Sequence, residues 1–266
     1  MTGPLPRPIL THIFPMDAVK EKQFNKWFSV FILAGMAIAL IVTTIFKLDD
    51  AADGGAKIFL IISAFGSLMG ILSTVASANG LIITFLFGLL DVSIYGVMCF
   101  VNWYGGGSGL GNAVLHMLYF VPMQFVGFAQ WRRHRADKSG YNVKPRRLTS
   151  RGWLIFGSIF AVGLVVAYFI VARFDKSAAD TFIKTAVVLD VLPLMCNILG
   201  QLLMSLAYME QWIFWIGVNV FSIIMWSTAH LDGTSSFAAI YIVKYSFYLL
   251  NSINGLRIWL RDSRVE

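Results

Sequence analysis

The chain has 266 residues, of which 58% are hydrophobic and only 13% charged, and its mean hydropathy is +0.72. A soluble domain carries about 25% charged residues, so the composition excludes a water-soluble globular protein and points to an all-α polytopic membrane protein. The formal net charge of +7 would suggest nucleic acid in a soluble chain, but most of the excess sits in a few short loops, where it reports membrane orientation.

Runs of roughly 20 apolar residues mark membrane-spanning helices. In chain order they fall at about 27–46, 58–77, 81–101, 112–131, 153–172, 184–207, 212–229 and 237–259, giving eight spans. The first run begins at Trp27 and lacks an A-x-A-type cleavage site, so it reads as a retained span. Cys99 and Cys196 both lie inside apolar runs. Neither a disulfide framework nor a metal cluster is expected, and no cofactor is implied.

Lys and Arg orient the spans. They gather before the first span, between Arg132 and Arg151 after the fourth, and in the tail at Arg257, Arg261 and Arg264. Eight spans put these three regions on one side, which the positive-inside rule makes cytoplasmic. The loops at 102–111 and 230–236 carry no Lys or Arg. The expected location is therefore a bacterial inner membrane with both termini cytoplasmic. The basic loop reads as topology and contact with anionic lipid, with no nucleic-acid partner.

The chain also repeats. Asp91 and Asn219, Gly127 and Gly255, and Trp131 and Trp259 each stand 128 residues apart. Spans two to four and six to eight then form two three-helix units. An odd number of helices would invert the second copy, and the single span at 153–172 restores its direction. The expectation is two parallel repeats about a pseudo-twofold axis along the membrane normal, a build that places its ligand at the repeat interface. The divisions are 1–57 (N-terminus and peripheral helix), 58–131 (first repeat), 132–183 (basic loop and linker helix), 184–260 (second repeat) and 261–266 (tail).

Ionisable groups inside a bilayer mark a site or a pair. Asp91 lies near the midplane of its span, and Asn219 is its repeat partner. The two are expected to face one another, although Asp91 bonded to a neighbouring helix would serve equally as structure. Asp190 and Lys244 have similar depth in the second repeat and are expected to share a structural polar network. Gln124 and Asn251 can bond across helices or meet a polar ligand. Pro122 frees a backbone carbonyl and can bend the fourth span. Trp212, Trp215 and Asn219 share one helical face. The start of a span is where an aromatic belt sits, yet a belt does not need an amide one turn deeper. A cavity for a polar-substituted ring does.

Glu210-x-Trp212-x-x-Trp215-x-x-x-Asn219, followed by Asn254-Gly255-x-Arg257-x-Trp259, resembles the closing third of PnuC-type nicotinamide riboside transporters. FGLLDVSIYG at 87–96 and the ending from Gly127 to Trp131 resemble the family's first repeat, and the three-one-three arrangement is that of the wider superfamily with the SWEET transporters. The resemblance covers about residues 58–262. It implies import of nicotinamide riboside, a precursor of NAD, by facilitated diffusion. It places Trp212, Trp215, Asn219 and Gln124 at the substrate; Asp91 and Asn251 are further candidates from their own positions in the spans. It matches Asp190 to an acidic position of the family. Asp91 stands where the family pattern suggests Asn, and Lys244 where it suggests an acid; the family also contains thiamine, riboflavin and deoxynucleoside importers. The expected partners are the substrate and the lipid bilayer, and a homo-oligomer is compatible with both. An integral-membrane enzyme is the rival class, but His12, His116, His134 and His230 have no metal-ligand spacing and no nucleophile motif occurs.

Overall fold

A computed structural model describes residues 18–49, 54–105, 110–135, 142–174, 185–231 and 238–265. Backbone that has no water must satisfy its own hydrogen bonds, and the apolar runs accordingly form helices. These are α1 (Ala18–Asp49), α2 (Gly54–Ala78), α3 (Thr84–Tyr104), α4 (Leu110–Arg133), α5 (Ser150–Phe174), α6 (Thr185–Ser205), α7 (Gln211–Leu231) and α8 (Ala238–Asp262). Among the described residues, α1 to α5 are each long and apolar enough to cross a bilayer. The first helix starts at Ala18 rather than Trp27, because the polar segment ahead of the apolar run continues the same helix.

α4 changes winding midway. His116–Phe120 form a π-helical turn, and the Val121 amide donates to the His116 carbonyl. Pro122 follows directly. It offers no N–H and crowds the preceding turn, and a wider turn is one way a helix absorbs that defect.

α2 packs on α3, α7 on α8 and α6 on α7, while α2 meets α8 and the end of α4 meets α6. Two indoles tie these groups together. Trp131 at the end of α4 donates to the Met204 carbonyl at 2.7 Å, and Trp259 near the end of α8 donates to the Ser77 carbonyl at 3.2 Å. Both acceptors lie at the last turn of a helix. Each of those helices ends in a left-handed residue, Gly80 (φ 66°) after α2 and Ala207 (φ 61°) after α6. The turns close with the same pair of bonds, Gly80 to Ser77 and Leu81 to Ala76, then Ala207 to Met204 and Tyr208 to Leu203.

The basic loop becomes a strap across this end of the bundle. The Val143 amide donates to the Gly80 carbonyl, and Arg146 exchanges backbone bonds with Ala207 and Met209. β1 (Arg146–Arg147) pairs in parallel with β2 (Arg264–Val265) of the tail. Arg147 donates to the Ser263 hydroxyl and the Leu260 carbonyl, and the Arg146 guanidinium lies 4.6 Å from the Tyr208 ring centre. Glu210 is only 1% exposed. It accepts the Leu148 amide at 3.0 Å, so it anchors the strap.

α1 lies against α2 and α8. Asn79 donates to Ser29 at 3.0 Å, Arg257 pairs with Glu21 at 2.9 Å, and Arg261 also pairs with Glu21.

Candidate functional site

A cavity of about 580 Å³ lies between α2, α3, α4, α6, α7 and α8, a size typical of small-molecule sites. Helical spacing explains its wall. α4 contributes Asn112, His116, Phe120 and Gln124, and α6 contributes Pro193, Asn197 and Gln201. α8 contributes Lys244, Tyr248 and Ser252. Residues four apart share one helix face, so each helix presents one polar or aromatic stripe inward.

The strap end of the cavity is sealed. Trp131, Trp212 and Trp259 are at most 1% exposed there and pack with Phe85, Ile82 and Met209 in one core cluster. Trp212 and Trp259 meet edge to face at 6.1 Å.

Two glycines seat the α7 indoles. A Cβ on Gly200 of α6 would lie 3.2–3.3 Å from three consecutive atoms of the Trp215 six-membered ring. Near-equal distances to three ring atoms put that point over the ring face. Trp212 stands the same way against Gly255 of α8, with three ring atoms at 2.7 Å. Gly88 on α3 makes room for Gln124, whose Oε1 would be 2.6 Å from an added Cβ. Gly70 on α2 does so for Asp91, whose carboxylate atoms would be 2.8–3.0 Å away.

Several polar atoms at the wall are held ready. Asn219 donates to the Ser252 hydroxyl at 3.0 Å, which fixes its amide. Gln124 reaches only the Phe120 carbonyl, at 3.4 Å, and its Oε1 is buried without a partner. The Trp212 indole N–H and the Ser77 hydroxyl are also buried without partners. A buried polar group left unsatisfied costs about 1–3 kcal/mol, and a bound ligand can remove that cost.

Of the residues singled out in the sequence, Asp91, Gln124, Trp212, Trp215, Asn219 and Lys244 line this one cavity. Asn251 does not appear in its wall. It is buried and donates to the Thr74 carbonyl at 3.2 Å, bonding α8 to α2. The side chain of Asp190 lies outside the described residues, and so does its expected network with Lys244. Sequence reasoning missed Asn197, Gln201, Tyr248 and Ser252. Ser252 was within reach, since it stands 128 residues after Gln124. No cluster of metal-holding side chains occurs among the described residues.

Apolar helices closing around a ligand-sized cavity with polar and aromatic walls define a multi-pass membrane transporter. The model of the nicotinamide mononucleotide transporter family matches residues 60–261, and the chain belongs to that family. It is 34% identical over 204 residues to the nicotinamide riboside transporter PnuC of Neisseria mucosa, covering 75% of this chain and 72% of that one. It is 31% identical to the protein of the same name from Haemophilus influenzae, covering 75% and 79%. The crystal structure of a vitamin B3 transporter, PnuC, superposes with a TM-score of 0.63 at 30% identity, over 88% of this chain and 91% of that one.

Proposed function

We propose that the chain carries nicotinamide riboside across a bacterial cytoplasmic membrane, by facilitated diffusion through the central cavity. The observation that carries this reading is the meeting of Trp212, Trp215, Asn219, Gln124 and Asp91 on one cavity wall. Nicotinamide riboside is a flat pyridinium cation bearing a carboxamide and a ribose. The face of Trp215 stacks on the ring, at about 0.5–2 kcal/mol for a cation–π contact. The unpartnered Gln124 Oε1 accepts from the carboxamide NH₂, and the unpartnered Trp212 N–H donates to its oxygen. Asn219 and Ser252 meet the ribose hydroxyls, and Asp91 complements the ring charge. Asn251 serves the helix contact to α2 rather than the ligand.

The riboside fits better than its phosphorylated form. A phosphate monoester brings about 1.5–2 negative charges, and Asp91 would repel it. Lys244 is the only Lys or Arg in the wall among the described residues. The relatives from Neisseria mucosa and Haemophilus influenzae are nicotinamide riboside transporters, which supports the same choice.

α2–α4 and α6–α8 act as two parallel repeats that rock about this site. The matched indole bonds, Trp131 to Met204 and Trp259 to Ser77, support that architecture. The strap end is the cytoplasmic side, by its basic residues, so the described conformation is closed towards the cytoplasm.

Titration calorimetry on purified protein tests the reading. Nicotinamide riboside should bind saturably, and Trp215→Ala and Asn219→Ala should each weaken it at least about tenfold. Tighter binding of thiamine or riboflavin than of the riboside would sink the substrate assignment.

A further inference from the structure

Among the described residues, the cavity wall holds one carboxylate, Asp91, and one ammonium, Lys244. His116 and the phenols Tyr95, Tyr245 and Tyr248 complete its titratable groups. The carboxylate is pressed against the bare backbone of α2 at Gly70. Lys244 comes from α8, fifteen residues before Trp259 and so about 22 Å of helix away from the sealed floor. Its ammonium stands 5.8 Å from the ring centre of Tyr248, one turn closer to that floor. Both side chains line the same cavity, where opposite charges attract more strongly than they do in water.

We infer that Lys244 is the charge selector of this cavity: it supplies an internal counter-cation for Asp91, and a cationic ligand binds against it. An isolated charge in a low-dielectric cavity is costly, so the pair leaves the empty cavity neutral. A pyridinium ligand then arrives as a third charge, attracted by Asp91 and repelled by Lys244. A neutral ligand of the same shape feels neither effect strongly. Lys244 thus sets how far the cavity prefers cationic over uncharged ring ribosides. This inference rests on the riboside reading above.

The test is a ratio of affinities. Nicotinamide riboside carries the cationic ring, and benzamide riboside, with carbon in place of the ring nitrogen, is its uncharged counterpart. Both are titrated into the purified full chain, wild type, Lys244→Met and Lys244→Arg. Removing a charge at about 10 Å, at an effective dielectric near 20, corresponds to roughly tenfold in binding. Lys244→Met should tighten the cation by about tenfold and leave the neutral ligand within about twofold, while Lys244→Arg should keep the wild-type ratio. If Lys244→Met does not survive extraction, Lys244→Gln reads the same quantity. Binding of both ligands with a ratio unchanged by loss of the charge would overturn the inference alone. Failure of the wild type to bind either ligand would overturn the riboside reading instead.

Discussion

The six-membered ring of Trp215 covers the backbone of Gly200, three of its atoms nearly equidistant from the place a Cβ would take. α6 thus supports one face of the indole of a residue that also lines the cavity. A ring held from behind loses little freedom when a ligand stacks on it, which favours binding through preorganisation.

Gly200→Ala tests that support. At 3.2–3.3 Å the added methyl needs the ring to give by a few tenths of an ångström. Nicotinamide riboside binding should weaken by about three- to tenfold, within the range of one lost cation–π contact. The melting temperature should change little. Unchanged affinity in calorimetry would mean that Trp215 does not stack on the ligand.

The indole bonds at the strap end predict a matched pair of stability losses. Trp131→Phe strands the Met204 carbonyl and Trp259→Phe strands the Ser77 carbonyl. Each should cost about 1–3 kcal/mol, read as lowered thermal unfolding in detergent. A large loss at one site and none at the other would argue against equivalent roles for the two groups of helices.

Glu210 predicts a pH effect. Burial pushes its carboxyl above the usual carboxylate range, opposed by the Leu148 amide and by Arg147. The folded state therefore holds the proton more tightly than the unfolded chain. That contribution to stability is full below the unfolded value of about 4.3 and is lost as pH rises through the folded value. The melting temperature of wild type minus that of Glu210→Gln should fall as pH rises above about 4.3. A flat or rising difference would contradict this account.

Carriage of a cation without a coupled ion predicts voltage dependence. One elementary charge gains about 2.3 kcal/mol per 100 mV. Proteoliposomes with a negative interior of about 100 mV should accumulate the riboside roughly fifty-fold, and collapse of the potential should release it. Accumulation that needs a sodium or proton gradient instead would exclude facilitated diffusion.

Much of this was legible in the sequence, for physical reasons. The apolar run at 58–77 becomes Gly54–Ala78 and that at 153–172 becomes Ser150–Phe174, because helix length follows from bilayer thickness. Asp91, Trp215 and Asn219 stood out because polar groups on an apolar helix have few other uses. Asn197 and Gln201 did not, since an amide can bond a neighbouring helix as readily as a ligand, and only packing decides which face looks inward. Asn251 shows the converse, an amide chosen for the site that instead bonds Thr74. The strap left no periodic signal. Arg146 and Arg147 read as topology, and their pairing with Arg264 and Val265 joins a mid-chain loop to the tail, segments that meet only in the fold.

The central claim is that this cavity carries nicotinamide riboside, and uptake of the labelled riboside into proteoliposomes tests it most directly. The account predicts saturable uptake by the wild type and at least about tenfold slower uptake by Asn219→Ala, whose amide is set by Ser252 at 3.0 Å. Wild-type uptake no faster than in protein-free liposomes, or equal uptake by the variant, would contradict it.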